Sequence, residues 1–152
     1  MSASPRPTLS SAISYRDPKA ALAWLEKAFG FETVMVITSA DGKLEHSQMR
    51  FGNGIVMIGN EWSADHKSPA SVHGKNTQTL HVHLDEDIDK HCARAKAAGA
   101  EIIMAPETQF YGDRTYRARD PEGHIWTFGQ TVKAVTREEA EKATGLKIEG
   151  WV

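Results

Sequence analysis

The chain has 152 residues, 40% of them hydrophobic and 25% charged, with a formal net charge of −2 at pH 7. That balance suits one globular domain or two small fused modules, and the absence of any block of like charges disfavours nucleic acid and anionic membrane as partners. No run of about 18 apolar residues is present to form a spanning helix. The opening MSASPRPTLS lacks the apolar core of a signal peptide, and the single cysteine, Cys92, leaves no internal disulfide or zinc ribbon. Together these features predict a cytoplasmic protein.

TLSSAISYR (8–16) has strand character, with Ile13 and Tyr15 alternating with small polar residues. DPKAALAWLEKAFG (17–30) predicts a helix: Asp17 is an N-cap, Pro18 suits the first helical position and Gly30 closes it. Its apolar positions Ala21, Leu22, Leu25, Ala28 and Phe29 form one stripe. FETVMVITSADG reads as a strand running into an Asp41–Gly42 turn, and KLEHSQMRF and IVMIGNEW flank Gly52–Asn53–Gly54 as a hairpin. Residues 63–76, SADHKSPASVHGKN, have no periodicity and read as a linker. The plan then repeats: strand TQTLHVHLD, helix EDIDKHCARAKAAG, strands EIIMAPETQF and DRTYRARD, turn PEG, strand HIWTFGQTV. Gly30–Phe31–Glu32 and Gly99–Ala100–Glu101 lie 69 residues apart, the mark of an internal duplication. Thr136 with Glu139 forms a capping box and Gly145 a stop, predicting a short C-terminal helix.

The expected fold is α+β: two β-α-β-β-β modules with curved mixed sheets, in a single domain. Module one spans 8–62, the linker 63–76, module two 77–132 and the tail 133–152. This plan, with DPEGHIW near the end of the second module, resembles the vicinal oxygen chelate superfamily, which includes lactoylglutathione lyases, bleomycin-binding resistance proteins, epimerases and extradiol dioxygenases. The combination YGDR…DPEGH.W is similar to a branch of small members, and the resemblance spans about residues 8 to 132. It implies that the sheets curve around a groove.

Metal-using members of that superfamily draw their ligands from the first and last strands of each module. Carried over by the resemblance, those positions are Ser10, Met57, Thr79 and Thr127, where the family pattern has His, Gln or Glu. A thioether and three hydroxyls are poor donors for a hard or borderline divalent cation. Neither a metal nor another cofactor is therefore expected. HVH puts His81 and His83 on one strand face. With His46 or Glu61 as a third ligand they could serve one ion; the other reading is that they line a polar groove.

Strand parity selects the groove lining. With Asn53–Gly54 as a two-residue turn, Gly52 pairs with Ile55, Arg50 with Met57, Gln48 with Gly59 and His46 with Glu61. His46, Gln48 and Arg50 then share the face of Met57, while Met49, Phe51, Val56 and Ile58 turn to the helix. In the second module Ile125 and Thr127 face the groove, and Trp126 and Phe128 face the core. Asp120, Pro121 and Gly123 are expected only to shape a turn. Arg117 matches a pocket-lining position of the resemblance, Arg119 lies nearer the rim, and Tyr111, Asp113 and Arg114 fall at the mouth. The expected ligand-binding set is His46, Gln48, Arg50, Met57, Thr79, His81, Tyr111, Arg117 and Thr127, with Ser10, Ala12 and Ser14 leaving room on the first strand. Two arginines and two histidines suit an anionic or strongly hydrogen-bonding small organic molecule.

The primary expectation is thus a metal-independent binding protein without assigned catalytic residues. The alternative is a metal- or histidine-dependent lyase, isomerase or dioxygenase of the same superfamily. Paired modules of this kind commonly form homodimers, and a homodimer is expected; closure of the groove within one chain or across two is open. The tail LKIEGWV packs on a second subunit or on its own.

Overall fold

Residues 6–151 are described by a computed structural model. The first module comprises β1 (Ser11–Tyr15), α1 (Pro18–Phe29), β2 (Glu32–Thr38), β3 (Leu44–Phe51) and β4 (Gly54–Asn60). The second comprises β5 (Leu80–His83), α2 (Ile88–Ala97), β6 (Glu101–Thr108), β7 (Asp113–Arg119) and β8 (Ile125–Thr131), and α3 (Arg137–Thr144) follows. Sheet 1 has the order β1-β4-β3-β2 and sheet 2 the order β5-β8-β7-β6. In each, the first and last strands of the module run parallel and the other neighbours antiparallel. The segment between the modules holds one short 3-10 turn, Pro69–Ser71. No helix among the described residues is long and apolar enough to cross a membrane.

The caps act where the sequence puts them. The Asp17 carboxylate accepts from the Ala20 N–H at 3.1 Å, and Gly30 ends α1 in the left-handed region. Thr136 and Glu139 form the reciprocal capping box of α3, and Gly145 closes it at φ 71°. Asp87 caps α2 through the N–H groups of Asp89 and Lys90.

Both modules share one hydrophobic core. Phe29, at the end of α1, packs against Phe128 and Trp126 of β8 at ring-centroid distances of 4.7 and 5.7 Å. Phe31 bridges Trp126 and Phe51 at 5.3 and 5.0 Å, and α1 lies against α2. Each large apolar side chain buried in this way contributes roughly 1.5–3 kcal/mol. The inner faces hold Met49, Val56, Ile58, Trp126 and Phe128, as parity predicts, with Phe51 half-buried beside them.

The first hairpin differs from the expected register. Gln48 pairs with Met57, Arg50 with Ile55 and Phe51 with Gly54, so the two-residue loop is Gly52–Asn53. Gly52 has φ +55° and Asn53 does not have positive φ, the pattern of a turn with glycine at its first central position. The slip is two residues, and an even slip leaves every side chain on its predicted face. The second hairpin has a three-residue loop, Pro121–Glu122–Gly123, closed by the Asp120 N–H on the His124 carbonyl at 3.0 Å, with Gly123 at φ +94°.

Asp120 does more than shape that turn. It is 5% exposed, and its carboxylate accepts four hydrogen bonds. They come from the Tyr15 hydroxyl (2.5 Å), the Trp126 indole N–H (3.1 Å) and the backbone N–H groups of Glu122 and His124 (both 3.0 Å). Burial pushes the Asp120 carboxyl above its ordinary range, opposed by these donors. Burial and the adjacent carboxylate push the Tyr15 hydroxyl well above its ordinary value, so it stays a donor. Next to it, the Glu122 carboxylate accepts the backbone N–H groups of Arg16 (2.7 Å) and Asp17 (3.0 Å) and the Ser68 hydroxyl (2.7 Å). His124 Nε2 donates to the Ser14 carbonyl at 2.8 Å. The DPEGH turn therefore clasps the second module to the end of β1.

Two predictions follow from this core. Asp120→Ala strands buried donors on both modules, and urea unfolding should lose at least about 3 kcal/mol, more than one ordinary hydrogen bond; a loss below about 1 kcal/mol would contradict the clasp. The second concerns His91 of α2, which is buried. Its Nε2 donates to the Phe29 carbonyl at 2.8 Å, so Nδ1 accepts from the Tyr116 hydroxyl at 2.5 Å and the ring is neutral. Burial lowers its pKa from 6.5. Below that pH the unfolded chain binds a proton that the folded chain resists, so stability falls with acidification from 6.5 toward the lower folded value. His91→Gln should flatten that part of the stability–pH curve, measured by denaturant titration at successive pH values.

Candidate functional site

The outer faces of the two sheets, away from the core, carry most of the expected site. On sheet 1 the register aligns Ala12, Met57, Gln48 and Met35 in one row across β1, β4, β3 and β2. Arg50 lies in the neighbouring row with Ile55 and Glu32, and His46 stands opposite Ile37. On sheet 2 the matching row is His81, Thr127, Arg117 and Met104 across β5, β8, β7 and β6. The two rows correspond at the 69-residue spacing, rising to 70 in β8 because the second hairpin loop is one residue longer.

Polar contacts within the rows are few. A His46 ring nitrogen lies 3.2 Å from the Gln48 amide nitrogen, and Arg117 Nε donates to Thr127 Oγ1 at 3.0 Å. Arg119 pairs with Glu101 at 3.3 Å, and Arg114 grips Asp89 of α2 with Nη2 at 2.9 Å and Nε at 3.0 Å. Arg114 thus braces a helix. Arg50 and Arg117 have no ion pair with a carboxylate among the described residues. Both are half-buried, a setting in which an unpartnered guanidinium has bonding capacity to spare.

The remaining expected residues lie apart from these rows. Thr79 is exposed just before β5, and Ser10 precedes β1. Both line a crevice of about 1010 Å³, together with His81 and His83, above Phe31, Phe51 and Trp126. His46, Gln48, Arg50, Met57, Arg117 and Thr127 do not line that crevice. Tyr111 is exposed in the β6–β7 turn, edge-on to Phe110 at 5.2 Å. Ser14, two residues beyond Ala12 on β1, is buried.

The combination of His46 or Glu61 with His81 and His83 does not assemble within the chain. Among the described residues no three His, Cys, Asp or Glu side chains converge in a cation-binding arrangement. His46 belongs to sheet 1 and the pair to sheet 2, His83 lies 3.7 Å from Asp85, and the Glu61 carboxylate accepts the Ser68 N–H at 2.9 Å. The four positions carried over for metal ligands do not fit an ion either: they offer three hydroxyls and a thioether, and one of those hydroxyls, on Thr127, already accepts from a guanidinium.

Sequence reasoning passed over Met35, Ile37, Ile55 and Met104, which share the outer faces with the expected set. The duplication was the available signal, since Met35 and Met104 stand at the same spacing as Gln48 and Arg117.

A model of the Glyoxalase/Bleomycin resistance protein/Dioxygenase superfamily matches residues 9–128. The chain belongs to that superfamily. An uncharacterised protein of Mycobacterium bovis is 31% identical over 148 residues, covering 95% of this chain and 96% of the relative. Among solved structures, TioX from Micromonospora sp. ML1 is 33% identical, with a TM-score of 0.66 over 82% of this chain and 98% of TioX. TnmS3, an antibiotic binding protein from Streptomyces sp. CB03234, shares the fold at 17% identity, with a TM-score of 0.62 over 80% of this chain and 93% of TnmS3.

Proposed function

We propose that the chain is a metal-independent, cytoplasmic binding protein for a small organic molecule with an anionic or strongly hydrogen-bonding group. Its contacts are His46, Gln48, Arg50 and Met57 on sheet 1 and Thr79, His81, Arg117 and Thr127 on sheet 2, with Tyr111 at the mouth. The observation that carries this reading is the hydrogen bond from Arg117 to Thr127, with no carboxylate among the described residues paired to the guanidinium. At one of the positions where metal-using relatives would hold an ion, this chain presents an oriented cation, which suits carboxylate, sulfonate or phosphate oxygens. The antibiotic binding protein among the structural neighbours supports the view that this fold accommodates an organic guest. The two residue sets stand on separate sheets, so we propose that a second copy brings its sheet 2 against sheet 1 and completes the groove as a homodimer.

The test is threefold, on protein purified without chelator. Elemental analysis should find no stoichiometric zinc, nickel, manganese or iron. Sedimentation should give a dimer. A thermal-shift panel of small organic acids and their amides should give hits among the acids, with Arg117→Gln weakening them about tenfold or more while the protein stays folded. Stoichiometric metal, or a panel without hits, would overturn the proposal.

A further inference from the structure

We infer that the guest of this groove is an amphipathic organic anion, its apolar body lying on the outer face of sheet 1 and its acidic group held by Arg117 of sheet 2. The inference rests on the binding reading above and adds the chemistry of the molecule bound.

The duplication supplies an internal comparison. At equivalent positions the two outer faces share a backbone plan and differ in chemistry. Ala12 corresponds to His81, Met57 to Thr127, Gln48 to Arg117 and His46 to Thr115. Sheet 1 thus presents a methyl and a thioether where sheet 2 presents an imidazole and a hydroxyl. Met35 closes that row as Met104 does in sheet 2, and Ile55 and Ile37 flank it on either side of the β3 residues His46, Gln48 and Arg50; Met35 and Ile37 are 38% and 49% exposed. A sheet face turned to water normally carries polar side chains, and Ala12, Met57, Met35, Ile37 and Ile55 give this one an apolar component on both sides of the polar residues of β3. Methionine is well suited to apolar contact, because its unbranched thioether moulds itself to flat aromatic or irregular apolar bodies.

Sheet 2 provides the complementary feature. Thr127 Oγ1 holds Arg117 Nε, which orients the guanidinium, and among the described residues its terminal N–H groups have no carboxylate partner. Its neighbour Arg119 is neutralised by Glu101 and does not compete for an anion. Along the row Ala12, Met57, Gln48 and Met35, sheet 1 offers the larger apolar share; sheet 2 offers a guanidinium held by a threonine, an anchor that Arg50 of sheet 1 lacks among the described residues. A guest that satisfies both has an apolar half and an acidic half.

Two fluorescent probes that share a ring system test this: anilinonaphthalene sulfonate, an aromatic anion, and N-phenylnaphthylamine, which lacks the sulfonate. Titrated into the full chain, the anion should bind at one site per chain and about tenfold or more tighter than the neutral probe. Arg117→Gln should bring the anion down to the affinity of the neutral probe and leave the latter unchanged. Met57→Thr, which installs the side chain that module two carries at the equivalent position, should weaken both probes several-fold. Met35→Thr serves the same purpose if the first variant does not fold. Equal affinity for the two probes, an Arg117→Gln effect common to both, or methionine variants that change the dimer but not probe binding would each overturn the inference. If neither probe binds while the acid panel yields a purely polar acid, this inference falls and the binding reading stands. If the panel is also blank, both fall.

Discussion

The carboxylate of Asp120 is the constraint on which the arrangement of the two modules depends. An ionised carboxyl removed from water is costly unless its lone pairs are filled, and here four donors fill them from three parts of the chain. Tyr15 reaches it from 105 residues away. The rest of the turn works in the same direction: Glu122 gathers the start of α1, Gly123 adopts a φ that a side chain would resist, and His124 ties back to β1. With the turn fixed, the register of β7 on β8 is fixed, and Arg117 stands opposite Thr127. A motif that looks like turn punctuation thereby sets the position of the Arg117 guanidinium.

The duplication is expressed differently on the two sides of the sheets. On the inner faces the pair Met49 and Val56 of module one corresponds to Ala118 and Trp126 of module two. A medium pair has become a small residue beside a very large one, a volume-compensating exchange of the kind a close-packed core requires. Trp126 then fills the space against Phe29 and Phe31, which joins the two modules into one core. The outer faces are under no such volume constraint. There the replacements change chemistry and size together, from methyl to imidazole, from thioether to hydroxyl and from amide to guanidinium.

Much of this was legible locally. Helix limits followed from Asp17, Gly30, Thr136 and Gly145 because caps satisfy backbone groups within a few residues. Face assignment followed from parity and survived the hairpin slip, because Gly52–Asn53–Gly54 permits two turns that differ by two residues in register. The role of Asp120 was not legible. Its partner Tyr15 lies in the other module, and turn composition says nothing about burial. The gathering of the site was hidden for the same reason. Parity shows that Gln48 and Met57 share a face, but how the outer faces of the two sheets are placed depends on long-range packing. Tyr111 illustrates the limit: its place in the β6–β7 turn follows from the sequence, but its edge contact with Phe110 does not.

The chemistry at the second module's end comes down to two neighbouring side chains. A divalent ion about 4 Å from a guanidinium, in surroundings of intermediate dielectric, meets repulsion of about 8 kcal/mol. Several carboxylate or imidazole ligands together could offset that, and this row offers one imidazole, His81, beside Thr127, Arg117 and Met104. The same guanidinium attracts an anion with the opposite sign and adds directional N–H donors. Replacing a donor-rich residue by threonine therefore does more than weaken a metal position. The Thr127 oxygen orients the arginine across the strands, and under the proposed reading the same scaffold geometry serves an anion in place of a cation without any change of fold.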